Sequence, residues 1–313
     1  MPYLKTDYKA PIWLRSGHAQ TIVPKFLRIP AVSFRRELRL DSTGKTNVAY
    51  DFIDGDKTQP LVVMFHGLEG SSKSHYAQAF ARYVQRLGWR LVVPHFRSCG
   101  GVENTAPFFY HSGDSAEISF ILNSLSKENS TPIYVAGISL GGNALAKYLG
   151  ENGNNANCDV AAVISAPLDL IAADKALNRQ PTKKIYTTYF LRTLLPKARK
   201  FYPEKNWDNC HSLTDFDNLF TAPLYGFADA HDYYRQSSGK NYLHNIQKST
   251  LILNAENDPF LPAIALPKTH EVSSNVFLMQ PKDGGHVGFP DFFRQDPLSW
   301  LPETVLSFFT QHN

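Results

Sequence analysis

Gly137-Ile138-Ser139-Leu140-Gly141 is the stretch of this chain whose residue types and spacing could focus chemistry on one atom. The pattern G-x-S-x-G suits a strand-to-helix turn so sharp that its serine is held in a strained backbone conformation. Side chains at the two flanking positions would collide, so both must be glycine. A serine hydroxyl is a weak nucleophile until a base takes its proton. An imidazole and a carboxylate are therefore required, in the chain order Ser, Asp, His. Asp258, in Asn254-Ala255-Glu256-Asn257-Asp258-Pro259, and His286, in Gly284-Gly285-His286-Val287-Gly288-Phe289, fit that order. Glu256 is the rival acid, although a residue so close to its strand end should point elsewhere. Asp258 would orient His286 and stabilise the imidazolium, while His286 serves as base and then as acid.

The tetrahedral intermediate of such a reaction needs donors for its oxyanion. The backbone N–H of Leu140, directly after the serine and at a helix N-terminus, is one candidate. The other is the N–H of Leu68 in His66-Gly67-Leu68-Glu69-Gly70, where Gly67 and Gly70 let the backbone approach a ligand. His66 reads as a brace for this loop, and Cys99, without an obvious base, reads as structural. The remaining histidines show no metal-ligand spacing with carboxylates. His95-Phe96-Arg97-Ser98-Cys99-Gly100-Gly101 lacks the Lys-Ser/Thr ending of a phosphate loop. No metal and no cofactor are expected.

A lone pentapeptide is a weak signal, so the elements around it decide. Ile133–Ala136 reads as the strand before Ser139 and Asn143–Leu149 as the helix after it. The same alternation of apolar strand and amphipathic helix runs along the chain, as in an α/β sheet. Ser33–Leu40 and Asn47–Ile53 read as an antiparallel edge hairpin, and Leu61–Phe65 as a strand buried on both faces. A helix over Ser74–Leu87, a strand over Arg90–His95 and a helix over Ser112–Leu125 follow. Val160–Ser165, Thr250–Ala255 and Val276–Gln280 read as further strands, and Leu298–Gln311 as a closing helix. Asp258 and His286 thus each follow a strand.

Between 169 and 245 the rhythm breaks into an aromatic-rich segment, with Ile185, Tyr189, Phe190 and Leu194 on one helical face. The expected organisation is one α/β-hydrolase domain over 1–313, a mostly parallel sheet flanked by helices, with 169–245 inserted as a helical cap or lid. The alternative for 169–245 is an ordinary helical layer extending the core.

With 43% hydrophobic and 19% charged residues, the composition is that of a globular protein, and the net charge of +4 is too small and dispersed for nucleic-acid binding. Cys99, Cys158 and Cys210 form no CxxC pair, which fits a reducing compartment. No apolar run approaches the ~20 residues that span a bilayer. Met1-Pro2-Tyr3-Leu4-Lys5-Thr6-Asp7 lacks the layout of a signal peptide, so a cytoplasmic location is expected.

Taken together, these blocks resemble the YheT-like branch of the α/β-hydrolases, the hydrolase-4 group of esterases. The resemblance covers nearly the whole chain. It includes Trp13-Leu14-Arg15-Ser16-Gly17-His18-Ala19-Gln20-Thr21-Ile22, the His66–Gly70 loop, Phe96–Gly101 and Tyr110-His111-Ser112-Gly113. Thr221-Ala222-Pro223-Leu224-Tyr225-Gly226-Phe227, Asp232-Tyr233-Tyr234, Asn257-Asp258-Pro259-Phe260 and the loop around His286 complete it. His95 and Ser98 depart from the family's usual Asn and Gly, and neither touches the three candidate residues.

The resemblance implies carboxylic-ester hydrolysis. Its members act on acyl esters and glycerolipids, and some transfer the acyl group to an alcohol. An esterase working through acyl-Ser139 on a small-molecule acyl ester, with the acyl chain under the aromatic insertion, is the leading expectation. Acyl transfer, a lipase or phospholipase activity, and a hydrolase fold reused for binding are the others. Lys183, Lys184, Arg192, Lys197, Arg199 and Lys200 flank the apolar face of the insertion, a pattern compatible with weak membrane-surface contact or with a solvated face.

Overall fold

Alternating buried strands and amphipathic helices assemble into one eight-stranded sheet of order β1-β2-β4-β3-β5-β6-β7-β8. The computed structural model describes residues 3–27 and 30–313, so Met1 and Pro2 of the N-terminal stretch lie outside the described residues. Strands β1 (Arg35–Leu40) and β2 (Asn47–Ile53) form the expected antiparallel edge hairpin. β2 runs antiparallel to β4 (Arg90–Pro94). β4, β3 (Leu61–Phe65), β5 (Ile133–Ile138), β6 (Val160–Ile164), β7 (Ser249–Leu253) and β8 (Val276–Met279) pair in parallel.

Side chains alternate across the sheet with period two, so each central strand feeds two cores. Val63 and Phe65 pack with α3 (Ser115–Lys127) and α4 (Leu140–Asn152) on one face. Val62 and Met64 pack with α2 (His75–Arg86) and α10 (Trp300–His312) on the other. A short helix α1 (Gly17–Ile22) lies near the N-terminus.

Residues 169–245 contain no strand. They hold α5 (Leu170–Leu177), α6 (Thr188–Phe201), α7 (Leu213–Phe216), α8 (Ala222–Tyr225) and α9 (Ala230–Ser237), between β6 and β7 in the chain. Two π-helical turns, Lys183–Thr187 and Asp217–Thr221, interrupt them. Leu191, Leu194, Trp207, Phe216 and Phe220 form an apolar cluster separate from the two sheet cores.

The expected single face of Ile185, Tyr189, Phe190 and Leu194 is split. Leu191, Leu194 and Ala198 are buried, whereas Ile185 is 38% and Tyr189 52% exposed. The π turn before α6 rotates the register, because it advances the chain by more than the α-helical 3.6 residues per turn. Three of the six flanking charges are paired within the protein, while Lys183, Lys184 and Arg192 have no ion-pair partner among the described residues. Lys197 meets Glu69 at 2.6 Å, Arg199 meets Asp208 at 3.2 Å, and Lys200 pairs with Glu103.

The loop after β4 is pinned by a buried ion network. Arg97, 3% exposed, bonds Asp41 and Glu117, and also Asp114 at 3.2 Å and Ser42 at 2.8 Å. Burial pushes the Glu117 carboxyl above its ordinary value even beside this guanidinium. Removing one member of a buried pair leaves the others uncompensated, at about 3–5 kcal/mol. Arg97→Met is expected to lower unfolding free energy by about that amount in urea titration; a change under about 1 kcal/mol contradicts the network's structural role.

Candidate active site

Ser139 caps the N-terminus of α4 with φ 53° and ψ −118°, the left-handed backbone expected of so sharp a turn. The helix starts at Leu140, three residues before the glycine-containing stretch suggested. The glycines are required by contact. A Cβ at Gly137 would lie 2.7 Å from the carbonyl oxygen of Gly141, and one at Gly141 would lie 2.6 Å from that of His66.

The fold brings Ser139, Asp258 and His286 together. His286 Nε2 lies 2.9 Å from Ser139 Oγ, and His286 Nδ1 lies 2.9 Å from Asp258 Oδ2. With the Nδ1 proton donated to Asp258, Nε2 is left to accept from the Ser139 hydroxyl. Asp258 Oδ1 accepts the Phe260 N–H at 2.8 Å, which fixes the carboxylate, and the Phe260 ring stacks on His286 at 3.9 Å. Glu256, the rival acid, is exposed, and among the described residues the carboxylate bonded to His286 is that of Asp258.

The loop after β3 has spent its N–H groups on either side of Leu68. Gly67 donates to Tyr76 Oη at 3.1 Å, Glu69 to Tyr110 Oη at 2.7 Å, and Gly70 to the Gly67 carbonyl at 2.9 Å. The Leu68 N–H has no hydrogen-bond partner among the described residues. Leu140 opens α4, so its N–H has no partner one turn earlier in the helix. Both residues line the same cavity as Ser139.

His66 is the brace. Its Nε2 accepts the Phe96 N–H at 3.1 Å, so its Nδ1 proton is donated to the Gly67 carbonyl at 2.7 Å. Glu69 adds a tie to the insertion, with its carboxylate taking Tyr110 Oη at 3.0 Å and Lys197 Nζ at 2.6 Å. Cys99 is buried, and burial pushes its thiol up to about 12. It is not an activated nucleophile.

Residues around α1, to which the sequence motifs gave no role, hold the His286 loop. Thr21 Oγ1 accepts the His286 N–H at 2.8 Å. Gln20, fully buried, accepts the Gly284 N–H at 2.6 Å, and Asn257 Oδ1 accepts the Gly285 N–H at 2.9 Å. Gln20 and Thr21 lie in the Trp13–Ile22 block, which the family resemblance singled out without giving it a role.

Ser139 stands where two hollows meet. One is a largely apolar cavity of about 110 Å³, between the body and the inserted helices, lined by Leu68, Leu140, Phe190, Leu194 and Phe220 among others. The other is an open cleft of about 890 Å³, bordered by Thr21, Lys25, Tyr186, Tyr189 and His286.

A protein-family model for the alpha/beta hydrolase fold matches residues 60–293. The chain belongs to the α/β-hydrolase family. Within it, this α/β hydrolase is 34% identical over 308 residues to "Putative esterase YheT" of Escherichia coli (strain K12), across 94% of this chain and 90% of that protein. It is 28% identical to Phospholipase ABHD3 of Homo sapiens, over 92% of this chain and 75% of that one. Among solved structures, the Pyrococcus furiosus esterase Pf2001 superposes with a TM-score of 0.61 at 17% identity, covering 91% of this hydrolase and 98% of the esterase. No helix among the described residues is long and apolar enough to cross a membrane.

Burial, aided by neighbouring His95, pushes His66 down to about 3. Its folded value lies below the ordinary 6.5, so protonation favours the unfolded chain. The stability it contributes is present above pH 6.5 and is lost as pH falls toward about 3. At pH 5, long-range ¹⁵N–¹H spectra are expected to show His66 neutral with its proton on Nδ1; an imidazolium pattern contradicts the brace.

Proposed function

We propose that this hydrolase is a serine carboxylesterase that cleaves acyl esters through an acyl-Ser139 intermediate. The observation that carries the reading is the unbroken path from Asp258 through His286 to Ser139, with both hydrogen bonds at 2.9 Å. His286 Nε2 takes the Ser139 proton as Oγ attacks the ester carbonyl. The oxyanion that forms meets the N–H groups of Leu68 and Leu140, each worth roughly 10²–10³ in rate. His286 then returns its proton to the departing alcohol. A water activated by the same imidazole releases the acid and restores Ser139. Asp258 holds the imidazole tautomer and stabilises its charged form.

The two hollows divide the substrate. The smaller, more apolar cavity takes the acyl chain, with residues 169–245 as its cap, and the larger cleft takes the alcohol. A volume of about 110 Å³ approaches that of cavities that hold one small ring, so short or compact acyl groups fit best. Relatives named as a phospholipase and, in Saccharomyces cerevisiae, a monoacylglycerol lipase extend the candidate alcohols to glycerolipids.

Ser139→Ala is expected to lower kcat on short-chain nitrophenyl esters by about 10⁴-fold or more, with the unfolding transition retained. Asp258→Asn should lose about 10⁴-fold, by leaving His286 in the wrong tautomer. Glu256→Gln should stay within about twofold. Activity surviving in Ser139→Ala, or lost in Glu256→Gln, overturns the assignment.

A further inference from the structure

The cavity beside Ser139 is apolar along most of its wall but carries two carboxyl groups on its cap side, Asp174, whose Oδ1 accepts from Thr214 Oγ1 at 2.6 Å and Asn178 Nδ2 at 3.0 Å, and Asp217. Asp217, the first residue of the π turn Asp217–Thr221, lines it. Its Oδ1 is bonded by Thr221 Oγ1 at 2.6 Å and its Oδ2 by Tyr234 Oη at 2.7 Å. Thr221 and Tyr234 line the same cavity. No cation pairs with this carboxyl among the described residues, and burial pushes it up to about 7.

A carboxyl group offers about four acceptor directions, and here two are filled. A bond between this turn and α9 needs only one acceptor, which asparagine would supply without a titratable group. An aliphatic chain laid against Asp217 would strip water from it and give nothing back, a cost that buried polar groups avoid by finding partners. A ligand hydroxyl both donates and accepts, and it is far cheaper to bury than an ammonium group. The wall therefore matches a chain that ends in, or carries, a hydroxyl.

We propose that Asp217, with Tyr234 beside it, is a specificity determinant that reads a hydroxyl group on the acyl chain, so that hydroxylated acyl esters are the preferred substrate class. This rests on the reading that the smaller cavity holds the acyl part. Selectivity comes from the unspent carboxyl acceptors, which a plain alkyl chain leaves unpaired and a hydroxyl satisfies.

The test compares kcat/KM for the ethyl esters of a saturated acid and its terminally hydroxylated analogue of equal length. The wild-type protein should favour the hydroxylated ester by about tenfold or more. In Asp217→Leu that ratio should fall to about one or below, with a cooperative unfolding transition like that of the wild type reporting an intact fold. Tyr234→Phe, a milder change, should reduce the ratio without abolishing it. An unchanged ratio in Asp217→Leu, or a wild-type preference for the plain ester, overturns the proposal. Calorimetric binding of the two free acids to Ser139→Ala separates this claim from ester hydrolysis. Tighter binding of the hydroxy acid upholds the subsite even if no ester is turned over, and equal binding refutes it.

Discussion

At Ser139 the backbone leaves β5 with a positive φ and enters α4 within one residue, and three neighbouring segments depend on that turn. A non-glycine residue held in this region costs on the order of 1–3 kcal/mol, so the surroundings must over-determine it. Ser139 N–H donates to the Ile164 carbonyl of β6 at 2.8 Å, and the Asn143 N–H closes the first helical turn on the Ser139 carbonyl at 3.0 Å. Gly67 sits so near that a Cβ there would lie 3.0 Å from Ser139 Cβ. The glycines at 137 and 141 are thus conditions for bringing β3, β5 and α4 close enough to put Leu68 and Leu140 on one side of the hydroxyl.

The imidazole arrives by a second strained path. Val287 and Phe289 have φ of 59° and 40°, a region that a β-branched or bulky residue rarely adopts. What holds them is local pairing. The Val287 N–H meets Ser165 Oγ at 3.0 Å, the Phe289 N–H meets the Gly284 carbonyl at 2.8 Å, and α1 secures the loop's beginning. The hydrogen bond between Ser139 and His286 therefore joins two loops that are each fixed from behind. Little reorganisation is required of it on substrate binding.

The strands and the elbow were legible because their residues answer to local rules. Continuous apolar runs such as Leu61–Phe65 need burial on both faces, and a G-x-S-x-G turn tolerates few alternatives. Asp258 could be ranked above Glu256 from its distance past the strand, and its contact with His286 follows from that spacing. The clamp made by Gln20, Thr21 and Asn257 was not legible as such. It joins residues more than 200 positions apart, and a buried glutamine has no sequence signature until its partners are known. The insertion was readable as helical and aromatic, but its two π turns and the split between buried Leu194 and exposed Tyr189 were not. Those depend on how the segment meets the body, through ties such as Lys197 to Glu69.

In the proposed acyl-serine reaction, the arrangement of cavity and cleft would give the substrate a direction. An apolar wall with the half-buried carboxyls of Asp174 and Asp217 lies on one side of Ser139, and a larger, partly cationic cleft on the other. All of this rests on Ser139 being the atom that attacks. Labelling the native protein with a fluorophosphonate and mapping the adduct by peptide mass spectrometry tests that most directly. One stoichiometric adduct is expected on the peptide containing Ser139, absent when the protein is unfolded. No adduct on the folded protein, or an adduct on another residue, would contradict it.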